Sequence, residues 1–388
     1  MTVIIDSPDS FRAFAMPEKK VNDINDIEEK YMKRAIALAK EGEGSCHPNP
    51  LVGAVLVKDG MIIGEGYHKK CGDLHAERNA ILSLNESAEG STMYVNLEPC
   101  CHYGKTPPCT EAIIEDKIAR VVIGSRDPNP QVAGKGVRIL RDAGIKVTED
   151  FMRDECDEIN KIFFHYITRK RPYVIMKYAM TADGKIATKT GASKWITGPE
   201  SLRRVHELRN ACMGIMVGIG TVLADDPMLN CRIEGGKDPV RIICDSKLKI
   251  PVDSNIVRTA GEIDTVVVCA AVDPEKRKIL EKAGVDVVEL SDEEGRVDTK
   301  KLIEKLGDEG MDSLLVEGGG TLNESVLKTG MADEIKMFIA PKIFGGAAKG
   351  PVMGGGVETP DQACRFRVER TEMTGNDVLV TLKPLQEK

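Results

Sequence analysis

Apolar side chains recur at helical spacing over residues 27–40, IEEKYMKRAIALAK, and Gly42 supplies a stop, so an amphipathic helix opens the patterned part of the chain. The pattern then switches to short apolar runs. One covers 51–57, and Asp59-Gly60 is a hairpin turn signal leading into a second at 61–63. A helix is predicted over 75–84, a strand over 93–97, a helix over 110–117, a strand over 120–125, a helix over 136–143 and a strand over 145–147. Residues 148–171 are charged, lack Gly and Pro, and carry one amphipathic stretch, which reads as a helical connector rather than a loose linker. Pro172 opens a strand at 173–178, and further strands fall at 214–217, 240–244, 265–269, 285–289, 313–316 and 334–339. Helices lie between them, for example at 201–210 and 274–283. Strands alternating with helices in both halves predict two α/β domains, at 27–147 and 172–384, joined by the connector at 148–171. Residues 1–26 are polar and aperiodic, an extension with no assigned role.

Length and composition agree with that division. A chain of 388 residues exceeds one ordinary core. Hydrophobic residues at 41% and charged residues at 30% suit a globular protein. The net charge of -7 lacks the basic excess expected of a nucleic-acid surface. No apolar run approaches the roughly 20 residues of a membrane span, and the N-terminus lacks the basic-then-apolar order of a signal peptide. A cytoplasmic protein without membrane or nucleic-acid partners is the expectation. Eleven cysteines in a long chain argue against a secreted disulfide framework, leaving metal ligation or burial.

The strongest chemical signal is His75-Ala76-Glu77, followed by Glu98-Pro99-Cys100 and Pro107-Pro108-Cys109. Catalytic zinc takes three protein ligands and keeps one position for water, and one His with two Cys meets that count. Each ligand falls at the predicted start of a helix or in the loop before one, where the helix dipole favours thiolate. Zinc brings the pKa of its water to about 7, and a nearby carboxylate must still shuttle protons. Glu77 is placed to do so without ligating. The pattern departs from the H-x-E…P-C-x-x-C deaminase signature, because position 103 is Tyr and the second cysteine comes only at Cys109. From spacing alone a second reading stands beside this one: Cys100 and Cys101 as core residues and His102 as ligand in a structural site. In the second half, Val316–Leu322 (VEGGGTL) follows an apolar strand and enters a helix; its amides suit a pyrophosphate, or the segment is a plain glycine turn.

HPNPLVGAVLV (47–57), GYHKKCGDLHAERNA (66–80), LEPCCHYGKTPPCTEAI (97–113) and DPNPQVAGKGVRILRDAGIKV (127–147) resemble the deaminase domain of the bifunctional riboflavin-biosynthesis deaminase/reductase family. MKYAMTADGKIAT (176–188), SKWITG (193–198), GIGTVLADDPMLNCR (218–232), RIICDSKLKIP (241–251), VEGGGTLNESVL (316–327) and FIAPKIFGG (338–346) resemble its reductase half. The resemblance implies a cytidine-deaminase-like α/β/α domain followed by a dihydrofolate-reductase-like α/β domain. It implies zinc on His75, Cys100 and Cys109, with Glu77 as proton shuttle. Asn49, His68, Lys105, Thr106, Asp127 and Asn129 would then contact a pyrimidine ribotide; Lys105 suits its phosphate, while Asn49 and Asn129, each before a proline, also suit turns.

In the second half the resemblance implies NADPH as hydride donor. Its contacts would be Ala179, Trp195, Thr221, Asp225, Ser246 and the run Gly319, Gly320, Thr321, Leu322, Asn323, Glu324 and Ser325. Substrate contacts would be Ser193, Arg209, Leu229, Arg232 and Glu317, with the two guanidiniums suited to phosphate. Ser246, Lys247 and Lys249 suit a 2′-phosphate or form a solvated loop. Lys177 and Asp225 are both candidates to polarise the reacting carbon or relay a proton. The family also suggests a homo-oligomer, a dimer or larger. Two rival functions predict other outcomes: a nucleic-acid deaminase would carry P-C-x-x-C and a basic face, and a nucleotide-binding module with structural zinc would be indifferent to Glu77.

Overall fold

The computed structural model describes residues 23–104 and 106–385. The first half holds helix α1 (Asp23–Lys40), strands β1 (Gly53–Lys58) and β2 (Met61–Tyr67), α2 (Ala76–Leu82), β3 (Thr92–Leu97), α3 (Cys109–Glu115), β4 (Arg120–Ser125), α4 (Lys135–Asp142) and β5 (Lys146–Thr148). The strands form one sheet in the order β2-β1-β3-β4-β5. β1 pairs antiparallel with β2 and β3, whereas β3, β4 and β5 are parallel. Asp59 (φ 50°) and Gly60 (φ 75°) make the expected two-residue hairpin turn, with Lys58 opposite Met61.

Strand alternation divides the core. Ala54, Leu56, Met93, Val95, Val121 and Ile123 pack with Ala76, Ala80, Ile113, Val137 and Leu140 of α2, α3 and α4. Val55, Val57, Tyr94 and Val122 face the other way, against Tyr31, Met32, Ala35 and Leu38 of α1. Both faces are therefore covered, giving the three-layer arrangement the alternating pattern predicts. The backbones approach closely where α1 crosses β1: a β-carbon on Gly53 would overlap the Ala35 carbonyl.

The connector differs from the single helix expected. It forms α5 (Arg153–Ile159) and α6 (Lys161–Arg169), interrupted at Asn160. The side chain of Asn160 is buried and bonded to both backbone groups of Leu51, accepting from its N–H at 2.8 Å and donating to its carbonyl at 3.0 Å. An amide that satisfies a distant strand approach in this way gives the local break its use.

The second half comprises β6 (Tyr173–Thr181), α7 (Pro199–Ala211), β7 (Gly214–Gly218), α8 (Ile219–Asp225), β8 (Val240–Cys244), α9 (Asn255–Arg258), β9 (Thr265–Cys269), α10 (Pro274–Lys282), β10 (Val285–Glu289), α11 (Thr299–Asp308), β11 (Ser313–Val316), α12 (Gly320–Lys328) and β12 (Glu334–Ala340). A final pair follows, β13 (Phe366–Thr374) and β14 (Asp377–Pro384). The sheet order is β10-β9-β8-β7-β11-β6-β12-β14-β13. Ile175, Ile215, Val217, Ile243, Val267 and Leu315 pack on one face with α9 and α10, and Val174, Met176, Met216, Ile242, Leu314 and Val316 on the other with α11 and α12. The terminal hairpin was not among the expected elements. β13 reads FRVERTEMT, an exposed edge strand dense in charge, and charge on an edge suppresses the apolar signal that marks a strand. Its one legible mark is the Gly375-Asn376 turn between Thr374 and Asp377, with Gly375 at φ 61°.

Among the described residues no helix is long and apolar enough to cross a membrane. The close approach of α1 to β1 predicts that Gly53→Ala lowers stability by about 1–3 kcal/mol through overpacking. A depressed thermal midpoint is the expected reading, and an unchanged one would contradict the placement of α1.

Candidate active sites

His75 is the N-cap of α2, Cys109 is the first residue of α3, and Cys100 lies just past the carboxyl end of β3. Three segments thereby converge at one edge of the parallel strands, where α/β sheets place their ligands. The Cys100 Sγ is 3.3 Å and the Cys109 Sγ 3.5 Å from His75 Nδ1, and the three donor atoms lie within 4.8 Å of one another. A tetrahedral zinc with ordinary Zn–N and Zn–S lengths separates such atoms by about 3.6 Å, so the donor set fits the ion through Nδ1. Hydrogen bonds from Cys109 and then from His75 draw the Cys100 thiol down to about 4. The Cys109 amide also points at the Cys100 sulfur, at 3.3 Å.

The end of the insert before Cys109 is held against α2 and the Cys100 segment. Thr110 N donates to the Cys100 carbonyl at 3.2 Å, and Arg78 donates to the carbonyls of Pro107 (3.2 Å) and Pro108 (2.8 Å). Arg78 was not among the predicted residues; its position beside Glu77 was the only cue. Glu98 ties the opposite wall, accepting from Gly134 N (3.0 Å) and Val137 N (3.3 Å) at the start of α4.

Glu77 is buried beside the ligands, and burial first, then the Cys100 charge, pushes its carboxyl up. A carboxylate raised in this way is suited to hold and return a proton. Asn49, His68, His75, Glu77, Cys100, Thr106, Asp127 and Asn129 all line one cavity of about 460 Å³. Lys105 lies outside the described residues. His68 Nδ1 lies 3.1 Å from the Leu74 carbonyl and its Nε2 3.1 Å from Asn49 Nδ2, which fixes one neutral tautomer; burial lowers its pKa against the Leu74 bond. Asp127 and Asn129 also serve the turn, accepting from Asn129 N (2.8 Å) and Gln131 N (3.1 Å). Burial raises the Asp127 carboxyl to about 6. Cys71 and Asp73 line the same cavity without having been singled out for it, His102 of the alternative structural-site reading lines it too, and Phe163 reaches it from the connector.

A second cavity, of about 450 Å³, gathers Lys177, Ala179, Ser193, Trp195, Arg209, Thr221, Asp225, Leu229, Arg232 and Glu317. At its centre Arg209 grips Glu317 with two bonds (2.7 and 3.1 Å) and donates to the Asn230 carbonyl at 2.9 Å. Three of the five N–H donors of Arg209 are thus engaged by the protein. Burial alone would raise Glu317, but Arg209 and then Lys177 hold its carboxylate down at about 2. Lys177 Nζ is 3.6 Å from Glu317, and burial outweighs that attraction and lowers its pKa. Arg232 instead lies against His206, Nε to Nε2 at 3.2 Å, and Ser193 donates to Asp225 at 3.2 Å. Ser246 and Gly319–Ser325 do not line this cavity. Ser246 Oγ accepts from Val297 N at 3.1 Å, and Gly320 is packed on Met353, whose N–H donates to its carbonyl at 3.0 Å.

The fold and the two sites define a zinc-dependent deaminase joined to a reductase. Residues 25–125 match the model of the cytidine and deoxycytidylate deaminase zinc-binding region, and residues 172–380 match the RibD C-terminal domain. Riboflavin biosynthesis protein RibD of Actinobacillus pleuropneumoniae is 51% identical over 376 residues, 96% of this chain and 100% of that protein. RibD of Escherichia coli K12 is 38% identical, over 92% of this chain and 99% of its own length. Among solved structures, a diaminohydroxyphosphoribosylaminopyrimidine deaminase/5-amino-6-(5-phosphoribosylamino)uracil reductase from Thermotoga maritima superposes with a TM-score of 0.82 at 40% identity, covering 93% of this chain and all of that one. Acinetobacter baumannii RibD gives 0.83 at 36%, with the same coverage. The chain belongs to the RibD family and is a bifunctional enzyme of riboflavin biosynthesis.

The ligand geometry separates the adjacent cysteines. Cys109→Ser should purify with far less zinc than the wild type, whereas Cys101→Ser, whose sulfur points to the Gln131 carbonyl at 3.7 Å, should keep it. Metal analysis of the two variants checks this, and zinc loss in the Cys101 variant alone would reverse the assignment.

Proposed function

We propose that the chain hydrolytically deaminates 2,5-diamino-6-ribosylamino-4(3H)-pyrimidinone 5′-phosphate and then uses NADPH to reduce the ribosyl side chain to ribityl, giving 5-amino-6-ribitylamino-uracil 5′-phosphate. The observation that carries the reading is the meeting of His75, Cys100 and Cys109 beside buried Glu77 in a cavity lined by polar groups. Support for this substrate comes from the Thermotoga maritima relative, which is named for the same two activities. In this reading 27–147 is the deaminase unit, 148–171 the connector and 172–384 the reductase unit.

Zinc held by His75, Cys100 and Cys109 supplies Lewis-acid activation of water. Glu77 takes a proton from the attacking water and gives it to the departing amino group, so that water and amine become carbonyl and ammonia. Neutral His68 and Asn49 form a fixed polar edge for the pyrimidine. Thr106, Asp127 and Asn129 contact the rest of the ribotide, and Lys105 its phosphate.

NADPH supplies the hydride for the second reaction. Ala179, Trp195, Thr221 and Asp225 hold the reacting end of the cofactor in the second cavity. Ser246 and the residues Gly319–Ser325 at the start of α12 hold its distal end, with Lys247 and Lys249 favouring a 2′-phosphate. Of the two proton-relay candidates, Lys177 is favoured: it is buried, its pKa is lowered, and Glu317 fixes its ammonium. Arg232 meets the substrate phosphate, while Arg209 acts mainly by fixing Glu317.

Glu77→Gln should lower ammonia release about 10²–10⁴-fold while zinc content and NADPH oxidation with the deaminated intermediate stay unchanged. Retained ammonia release would favour a structural zinc. Lys177→Met should do the reverse, abolishing NADPH oxidation and sparing ammonia release; equal loss of both activities would contradict the division of labour.

A further inference from the structure

The segment 46–52 carries Asn49 into the deaminase cavity, and it is held from three directions. Asn96 of β3 donates to the Leu51 carbonyl at 2.9 Å and accepts from Gly53 N at 2.8 Å. Asn160 of the connector brackets Leu51 from the other side. The third hold comes from the reductase half: His47 Nδ1 donates to Asp312 Oδ2 at 2.7 Å. One residue, Pro48, separates His47 from Asn49, and one, Pro50, separates Asn49 from Leu51, so the substrate-facing amide hangs between anchors that belong to three different parts of the chain.

Asp312 is built to be a rigid anchor. Its side chain is 2% exposed. Its second oxygen accepts from Ser313 Oγ at 2.6 Å, and Ser313 Oγ in turn accepts from Met213 N at 2.9 Å. Its carbonyl accepts from Tyr173 N at 2.8 Å, which ties it to the first strand of the reductase sheet. A second contact falls next to the same segment. Gly44 (φ 76°) sits against the end of α7, where a β-carbon would come within 2.6 Å of Asn210 Oδ1. The reductase half thus approaches the backbone on the N-terminal side of the Asn49 segment at two points.

We propose that Asp312 is a positioning residue for deamination: the reductase half holds the Asn49 loop of the deaminase site through the His47–Asp312 clasp. The proposal rests on the deaminase reading above. Removing the clasp leaves zinc, its ligands and Glu77 in place but frees one side of the loop. Substrate binding weakens while the chemical step is spared. Reduction is unaffected, because neither His47 nor Asp312 lines the reductase cavity.

The test is steady-state ammonia release by the full-length zinc enzyme with the diaminopyrimidinone ribotide, alongside NADPH oxidation with the deaminated intermediate. Asp312→Ala should raise the deamination KM about ten-fold, with kcat, zinc content and reduction kinetics held. Asp312→Asn, whose amide oxygen still accepts from His47, should restore most of the loss. His47→Leu should match Asp312→Ala, and the double variant should be no worse than either. If Asp312→Ala fails to fold, His47→Leu decides by the same readout, since it leaves the reductase half untouched. An unchanged KM in His47→Leu, or an equal fall in both reactions, overturns the clasp. A wild-type chain that releases no ammonia overturns the deaminase reading, and the clasp with it.

Discussion

Three atoms from segments 25 and 34 residues apart, one nitrogen and two sulfurs, must come within ion-binding distance of each other, and much of the first domain serves that requirement. Short parallel strands bring their carboxyl ends to one edge. The helices that follow present their N-termini there, with amides available to stabilise thiolate. The insert before Cys109 would carry its sulfur away if free, and Arg78 prevents this by binding the two proline carbonyls. Glu98, next to the first cysteine pair, is spent on the start of α4 and so fixes the far wall. Glu77 stands beside the three donors, kept out of water by the same packing.

The second site is organised on a different principle. No metal-ligand cluster is found there among the described residues; instead a buried carboxylate is held between two cations. Glu317 at the end of β11 meets Arg209 from α7 and Lys177 from β6. A buried ion pair contributes little net stability, because desolvation offsets attraction. What it provides is a lysine of fixed position, whose pKa burial lowers against the pull of Glu317. Of the two arginines that the sequence suggested for phosphate, Arg209 pairs with Glu317 and Arg232 lies beside His206, and both line the cavity.

The elements that sequence made legible are those with strong period and clear punctuation. The strands at 240–244, 265–269, 285–289 and 313–316 have the same bounds in the fold, because parallel strands buried on both faces are short continuous apolar runs. The Asp59-Gly60 turn was equally plain. The edge strand β13 was hidden by its own charges, and the break at Asn160 by a contact with Leu51 more than a hundred residues away. The cluster of His75, Cys100 and Cys109 stood out because cysteine and histidine are rare and their spacing is informative. Arg78, Phe163 and Asp312 did not, since their roles depend on what the fold sets beside them and nothing in their local sequence marks it.

The account stands on the coordination of one ion, which zinc K-edge X-ray absorption of the full-length protein reads directly. Two sulfurs at about 2.3 Å and two lighter atoms at about 2.0–2.1 Å, one of them imidazole nitrogen and the other from solvent, are the expected shell. Three or four sulfurs, or a second imidazole in place of solvent, would close the site to water and contradict the hydrolytic reading.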